Sequence, residues 1–153
     1  MFNARMLLAV DPGGAHVGVA WFEKDRGDWA CVDATEYDPS SFAHILLRGL
    51  LAQPLLDRPQ TLVYEEFRIY PDKALSLIGS HVETAECIGV LKHYAELMGA
   101  PEHLALVAQP ASYQQVALGM LRSRKKTSTA KKLKAGPHAL SAELHGWAYL
   151  FRS

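Results

Sequence analysis

The chain has 153 residues, 49% of them hydrophobic, and 16 basic residues balance 16 acidic ones to a formal net charge of zero. That length supports one domain with a proper core, and no apolar run approaches the roughly 20 residues needed to span a bilayer, so membrane residence is not expected. Cys31 and Cys87 form neither a metal-type spacing nor a disulfide framework, and the apolar run Met6–Val10 is too short for a secretory signal. A reducing cytoplasm is the expected setting.

Taken in chain order, the first apolar run ends in Asp11-Pro12-Gly13-Gly14. A short aliphatic run bounded by Gly and Pro reads as a buried strand. Asp is a poor strand former and is costly to bury unless it is paired or holds a metal, so its place at this strand end is informative. Asp-Pro-Gly is also good turn chemistry. The pattern predicts strands near 6–11, 17–23 and 28–35, then a helix over 40–52 capped by Ser40 or Ser41. A fourth strand, Thr61-Leu62-Val63-Tyr64-Glu65, leads into a loop through Pro71. A long helical pattern over 72–99 follows, then a short strand over 104–107 and a helix from 110 to about 121. Residues 122–136 are polar and basic and read as a mobile loop. A last helix runs from Pro137 to Leu150. This order fits a single α/β domain over 1–153, with a central mixed five-stranded sheet flanked by helices.

The charge is unevenly spread. Seven of the 16 basic residues (Arg122, Arg124, Lys125, Lys126, Lys131, Lys132 and Lys134) lie in one stretch with no acidic residue, leaving 9 basic against 16 acidic residues elsewhere, a balance of −7. An acidic body with one basic segment points to a polyanionic partner held through that segment. These seven side chains could neutralise phosphates, with Ser123, Thr127, Ser128 and Thr129 adding hydrogen bonds. Lying directly before the last helix, the segment is expected to overhang whatever that helix bears.

Glu65 repeats the pattern of Asp11 at the end of a second apolar strand. Alternation puts Glu65 and Glu66 on opposite faces, and Glu65 continues the apolar run directly. Two carboxylates brought together repel unless a cation separates them. In the last helix His138, Ser141, Ala142 and His145 fall within about 100° of arc and share one face, with Glu143 well off it. Two strand-end carboxylates facing one helix face suit a hard divalent cation such as Mg²⁺ or Mn²⁺, and two such ions can activate water against a phosphodiester.

Leu-Ala-Val-Asp11-Pro-Gly-Gly, Val-Tyr-Glu65-Glu-Phe and His138-Ala-Leu-Ser141-Ala resemble, in order, the three catalytic blocks of RuvC-like Holliday junction resolvases of the ribonuclease H-like superfamily. Phe67-Arg-Ile-Tyr-Pro-Asp-Lys-Ala, followed by Ile78-Gly-Ser, is similar to the short bacteriophage-encoded members. The resemblance covers nearly the whole chain. It implies a ribonuclease H-like fold and a metal-dependent, structure-selective endonuclease that cuts branched DNA as a homodimer. A phage-encoded protein would act in the bacterial host cytoplasm. The implied catalytic positions are Asp11, Glu65, His138 and Ser141, holding two Mg²⁺ or Mn²⁺ ions. Ser141 departs from the pattern, since the family usually has an acid there and a hydroxyl is a poor ligand for a hard cation. Either the second ion is weakly held, or it is held through water, or His145 joins Asp11, Glu65 and His138 as a ligand. Two other readings compete: a branched nucleic-acid binding protein of the same fold with weak or no cleavage, and an actin-like ATPase, for which the chain is short.

Overall fold

The computed structural model describes residues 5–13, 15–50, 58–66 and 74–152. Gly14, the end of the 40–52 helix, the loop through Pro71 and the phage-like motif over 67–73 lie outside these residues. So do the side chains over 74–83.

The aliphatic runs become five strands: β1 (Arg5–Asp11), β2 (Val17–Asp25), β3 (Asp28–Tyr37), β4 (Thr61–Glu65) and β5 (Ala105–Gln109). They form one mixed sheet in the order β3-β2-β1-β4-β5. β1 and β3 flank β2 antiparallel, whereas β4 lies parallel to β1 and β5 parallel to β4. The carboxyl ends of β1, β4 and β5 therefore share one edge of the sheet. In the β2–β3 ladder Trp21 pairs with Asp33 and Phe22 with Cys31, leaving Val32 as the extra residue of a bulge, with its side chain exposed.

Alternation along the strands feeds two separate cores. Leu7, Ala9, Phe22 and Val63 pack on one face with Ala139, Ala142, Leu144 and Trp147 of α5 (Pro137–Arg152) and with Ala117 and Leu121 of α3 (Tyr113–Ser123). Leu8, Val10, Val19, Leu62 and Tyr64 pack on the other with Cys87, Leu91 and Tyr94 of α2 (Ala74–Leu97). Small residues bring α5 close to the sheet. A Cβ on Gly146 would strike the Phe22 ring, and one on Gly18 would strike the His138 carbonyl. The first turn of α5 is therefore seated directly on β2 beside the end of β1.

Two sequence expectations are corrected. The helix expected over 40–52 is capped by Asp38 instead of Ser40 or Ser41. Its Oδ1 accepts from the Ser41 amide at 2.9 Å, opening α1 (Pro39–His44), which continues as a π-helical turn over Ile45–Leu50. The basic stretch expected as a loop over 122–136 contains α4 (Thr129–Leu133), with Ser128 as its N-cap and Ala130 buried. Its anchor is remote in sequence. Glu143 of α5 accepts from the Thr129 and Ala130 amides at 3.0 and 2.7 Å and from Trp147 Nε1 at 2.9 Å. A wholly buried carboxylate is tolerable there because three donors satisfy it.

Candidate active site at the strand ends

Val10 pairs with Tyr64 in the parallel β1–β4 ladder, so Asp11 and Glu65, one residue further on, stand side by side on strands about 4.8 Å apart. Both continue the alternation of Ala9 and Val63 and so point to the α5 face, while Glu66 falls on the other. α5 meets them from its first turn to the start of its third. His138 Nδ1 lies 3.2 Å from Asp11 Oδ2, and His145 Nε2 lies 3.0 Å from Glu65 Oε1. The structure thus brings Asp11, Glu65, His138, Ser141 and His145 to one place.

The two carboxylates have opposite electrostatics. Burial, and then the negative charge of Glu65, raise the Asp11 pKa above its ordinary value; the hydrogen bond and charge of His138, and a weaker pull from the Ser141 hydroxyl, oppose this. Glu65 is held below its ordinary value, mainly by the hydrogen bond from His145, with burial opposing and Gln114 assisting. Gln114, in the first turn of α3, donates to Glu65 Oε1 at 2.7 Å. The Ser141 hydroxyl is a buried neighbour of Asp11. It is a buried polar atom with no hydrogen-bond partner among the described residues.

A pair of like charges, the pKa of one raised by burial and then by the other, and a buried hydroxyl with no hydrogen-bond partner among the described residues are features that a bound cation would relieve. Among the described residues no three His, Cys, Asp or Glu side chains converge as they stand to enclose an ion. Asp11, Glu65 and His138 are donor types that a hard cation accepts, whereas the Ser141 hydroxyl carries no charge. His145, expected among the ligands, has both ring nitrogens on protein partners, Glu65 on one side and the Gln109 amide on the other.

Several residues of the site escape sequence reasoning. Glu36 of β3 accepts from the His138 amide at 2.7 Å through Oε2 and so caps the helix that carries His138. Its role follows from register across the sheet, which has no local signal. Gln109 does have one, since it ends the β5 run as Asp11 and Glu65 end theirs. His16, exposed on the turn after β1, has its ring 5.9 Å from that of His138.

The expected phosphate contacts Arg122, Arg124, Lys125, Lys126, Lys131, Lys132 and Lys134 are all exposed. They do not overhang Asp11 as one unit. The Arg124 guanidinium lies 4.3 Å from the Phe151 ring centroid and the Lys126 ammonium 5.7 Å from that of Trp147. Phe151 is about 20 Å along α5 from His138, so this end of the segment is pinned to the far end of the helix. α4, held by Glu143, lies nearer the site.

No family model and no curated protein sequence matches the chain. The mixed five-stranded sheet flanked by helices has the ribonuclease H-like fold of the solved structures it matches. The particular neighbours agree with the sequence resemblance. RuvC of Thermus thermophilus, solved in complex with Holliday junction substrate, superposes with a TM-score of 0.65 at 14% identity over 95% of this chain and 93% of that one. Another structure of Thermus thermophilus RuvC gives 0.61. The fowlpox virus Holliday junction resolvase gives 0.58 at 12% identity, covering 96% of this chain and 98% of its own. At such identities the likeness is one of fold.

Proposed function

We propose that the protein is a divalent-metal-dependent endonuclease that cuts branched DNA such as four-way junctions. The observation that carries this reading is the Asp11–Glu65 pair, side by side at strand ends and facing the first turns of α5, in a fold that a junction-bound RuvC shares over nearly its full length. Asp11, Glu65 and His138 would hold the cation. When bound, it supplies Lewis-acid stabilisation of phosphodiester charge and lowers the pKa of an attacking water. The chain's own side chains do the rest. Gln114 and His145 orient Glu65, Glu36 seats the helix end that presents His138, and the exposed lysines bind phosphates independently of base sequence. A four-way junction presents two symmetric strands to cut, which a homodimer would engage together.

The test is cleavage of four-way junction, flap, duplex and single-stranded DNA with Mg²⁺ and with Mn²⁺. Junction cutting is expected with either metal, lost on chelation, and reduced to background by Asp11→Asn or Glu65→Gln while the fold persists. Equal cutting of all four substrates removes the structure selectivity. Ser141 favours a second reading, a protein that binds branched DNA and cuts it slowly because its second cation site lacks a charge. Tight junction binding with no metal-dependent product would decide for that one.

A further inference from the structure

His145 is buried to the last atom of its side chain, and a buried imidazole is costly unless both nitrogens are satisfied. Both are. Gln109 Nε2 lies 2.9 Å from the His145 carbonyl oxygen and 3.2 Å from Nδ1. A carbonyl oxygen only accepts, so the NH₂ end of the Gln109 carboxamide faces His145. The second hydrogen of that NH₂ group then meets Nδ1, which must accept it. The ring proton therefore sits on Nε2, 3.0 Å from Glu65 Oε1. Gln114 donates to that same oxygen, and among the described residues no hydrogen bond goes to Oε2.

We propose that His145 is a positioning residue and not a metal ligand: backed by Gln109, it fixes Glu65 through Oε1 and leaves Oε2 as the oxygen offered to a divalent cation. Coordination by His145 itself would break either the Gln109 or the Glu65 bond and strand a buried partner. The inference rests on the nuclease reading for its cation, but it concerns how Glu65 is held.

The experiment titrates Mn²⁺ calorimetrically into metal-free wild-type protein, His145→Leu and His145→Gln, with circular dichroism to check each fold. Leu removes the donor at similar volume, whereas the Gln amide restores an N–H toward Glu65. Binding should weaken about 10- to 100-fold in His145→Leu, the usual effect of losing a residue that orients a ligand, and recover most of that in His145→Gln. A folded His145→Leu that binds Mn²⁺ like wild type overturns the inference. So does a folded His145→Gln as weak as His145→Leu, because the imidazole would then be the ligand. Should His145→Leu fail to fold, long-range ¹H–¹⁵N spectra of the wild-type imidazoles decide. The Nε2–H tautomer of His145 is expected with and without Mg²⁺; an Nδ1–H tautomer, or loss of the Nε2 proton on adding Mg²⁺, overturns it. Junction cleavage is assayed alongside. A wild type that binds Mn²⁺ as expected but leaves every junction uncut sinks the nuclease reading alone, and one that takes up no Mn²⁺ sinks both.

Discussion

The pKa values of Asp11 and Glu65 are displaced in opposite directions from their ordinary values. The raised pKa of Asp11 means that its contribution favours the folded state below the ordinary value of 3.8 and is lost as pH rises through the raised one. The lowered pKa of Glu65 contributes above 4.5 and is lost as pH falls through its lowered value. Asp11→Asn should therefore raise the melting temperature of the chelated protein at pH 7 by a few degrees, and the gain should vanish near pH 3. Thermal melts in chelator across that range check the sign, and a variant less stable than wild type at pH 7 contradicts it. Ser141 supplies the complementary experiment. Its hydroxyl is buried beside Asp11 with no hydrogen-bond partner among the described residues, so Ser141→Asp adds the charge that a second cation would need. Mn²⁺ uptake should tighten about tenfold, with faster cleavage at limiting metal, while the metal-free protein loses a little stability to a third carboxylate. No gain in the titration would mean that Ser141 does not face the ion.

The element that sequence pattern misses is α4. Its residues are polar and basic, its length is a single turn and a half, and its anchor is a carboxylate on another helix. Nothing local reveals that. The angle of Glu143 is legible, since it does lie off the face that bears His138; the helical amides waiting on that other side are not. By contrast the strands and their terminal acids are plain, because aliphatic runs closed by Asp11 and Glu65 leave few alternatives and period-2 alternation assigns their faces. Gln109 shows the same pattern with a neutral side chain, which draws less notice than a charge. Glu143→Ala leaves three donors without their acceptor, at about 1–3 kcal/mol for each one buried; a total of about 3–5 kcal/mol, at about 2–4 °C per kcal/mol, should lower the melting temperature by roughly 6–20 °C. Hydrogen exchange should show the Thr129 and Ala130 amides losing protection first. Unchanged protection there would refute the anchoring role.

Across the whole molecule the acidic body and the basic segment meet along α5. Lys131, Lys132 and Lys134 are exposed on and beside α4, and among the described residues none of them has an aromatic contact like those that hold Arg124 and Lys126. Replacing these three lysines by Ala should weaken binding to every DNA shape alike. The slope of log affinity against log salt should shrink by about 0.9 for each phosphate no longer neutralised, or about 3 in all. A slope that does not move would show that this surface takes no part in binding. A weakening confined to junctions would instead assign the lysines to branch recognition.

Ser141 through Ala148 are buried without interruption, more than two turns with no wet side. Sheet, α3 and α4 each claim part of that circumference, and its polar members face the strand-end acids or the α4 amides. Tolerance to substitution along α5 should accordingly lose its usual rhythm. A saturation library scored for folded yield would show an unbroken intolerant block over these eight positions, where an ordinary surface helix shows relief every three or four residues. Such a block gives neutral drift little room.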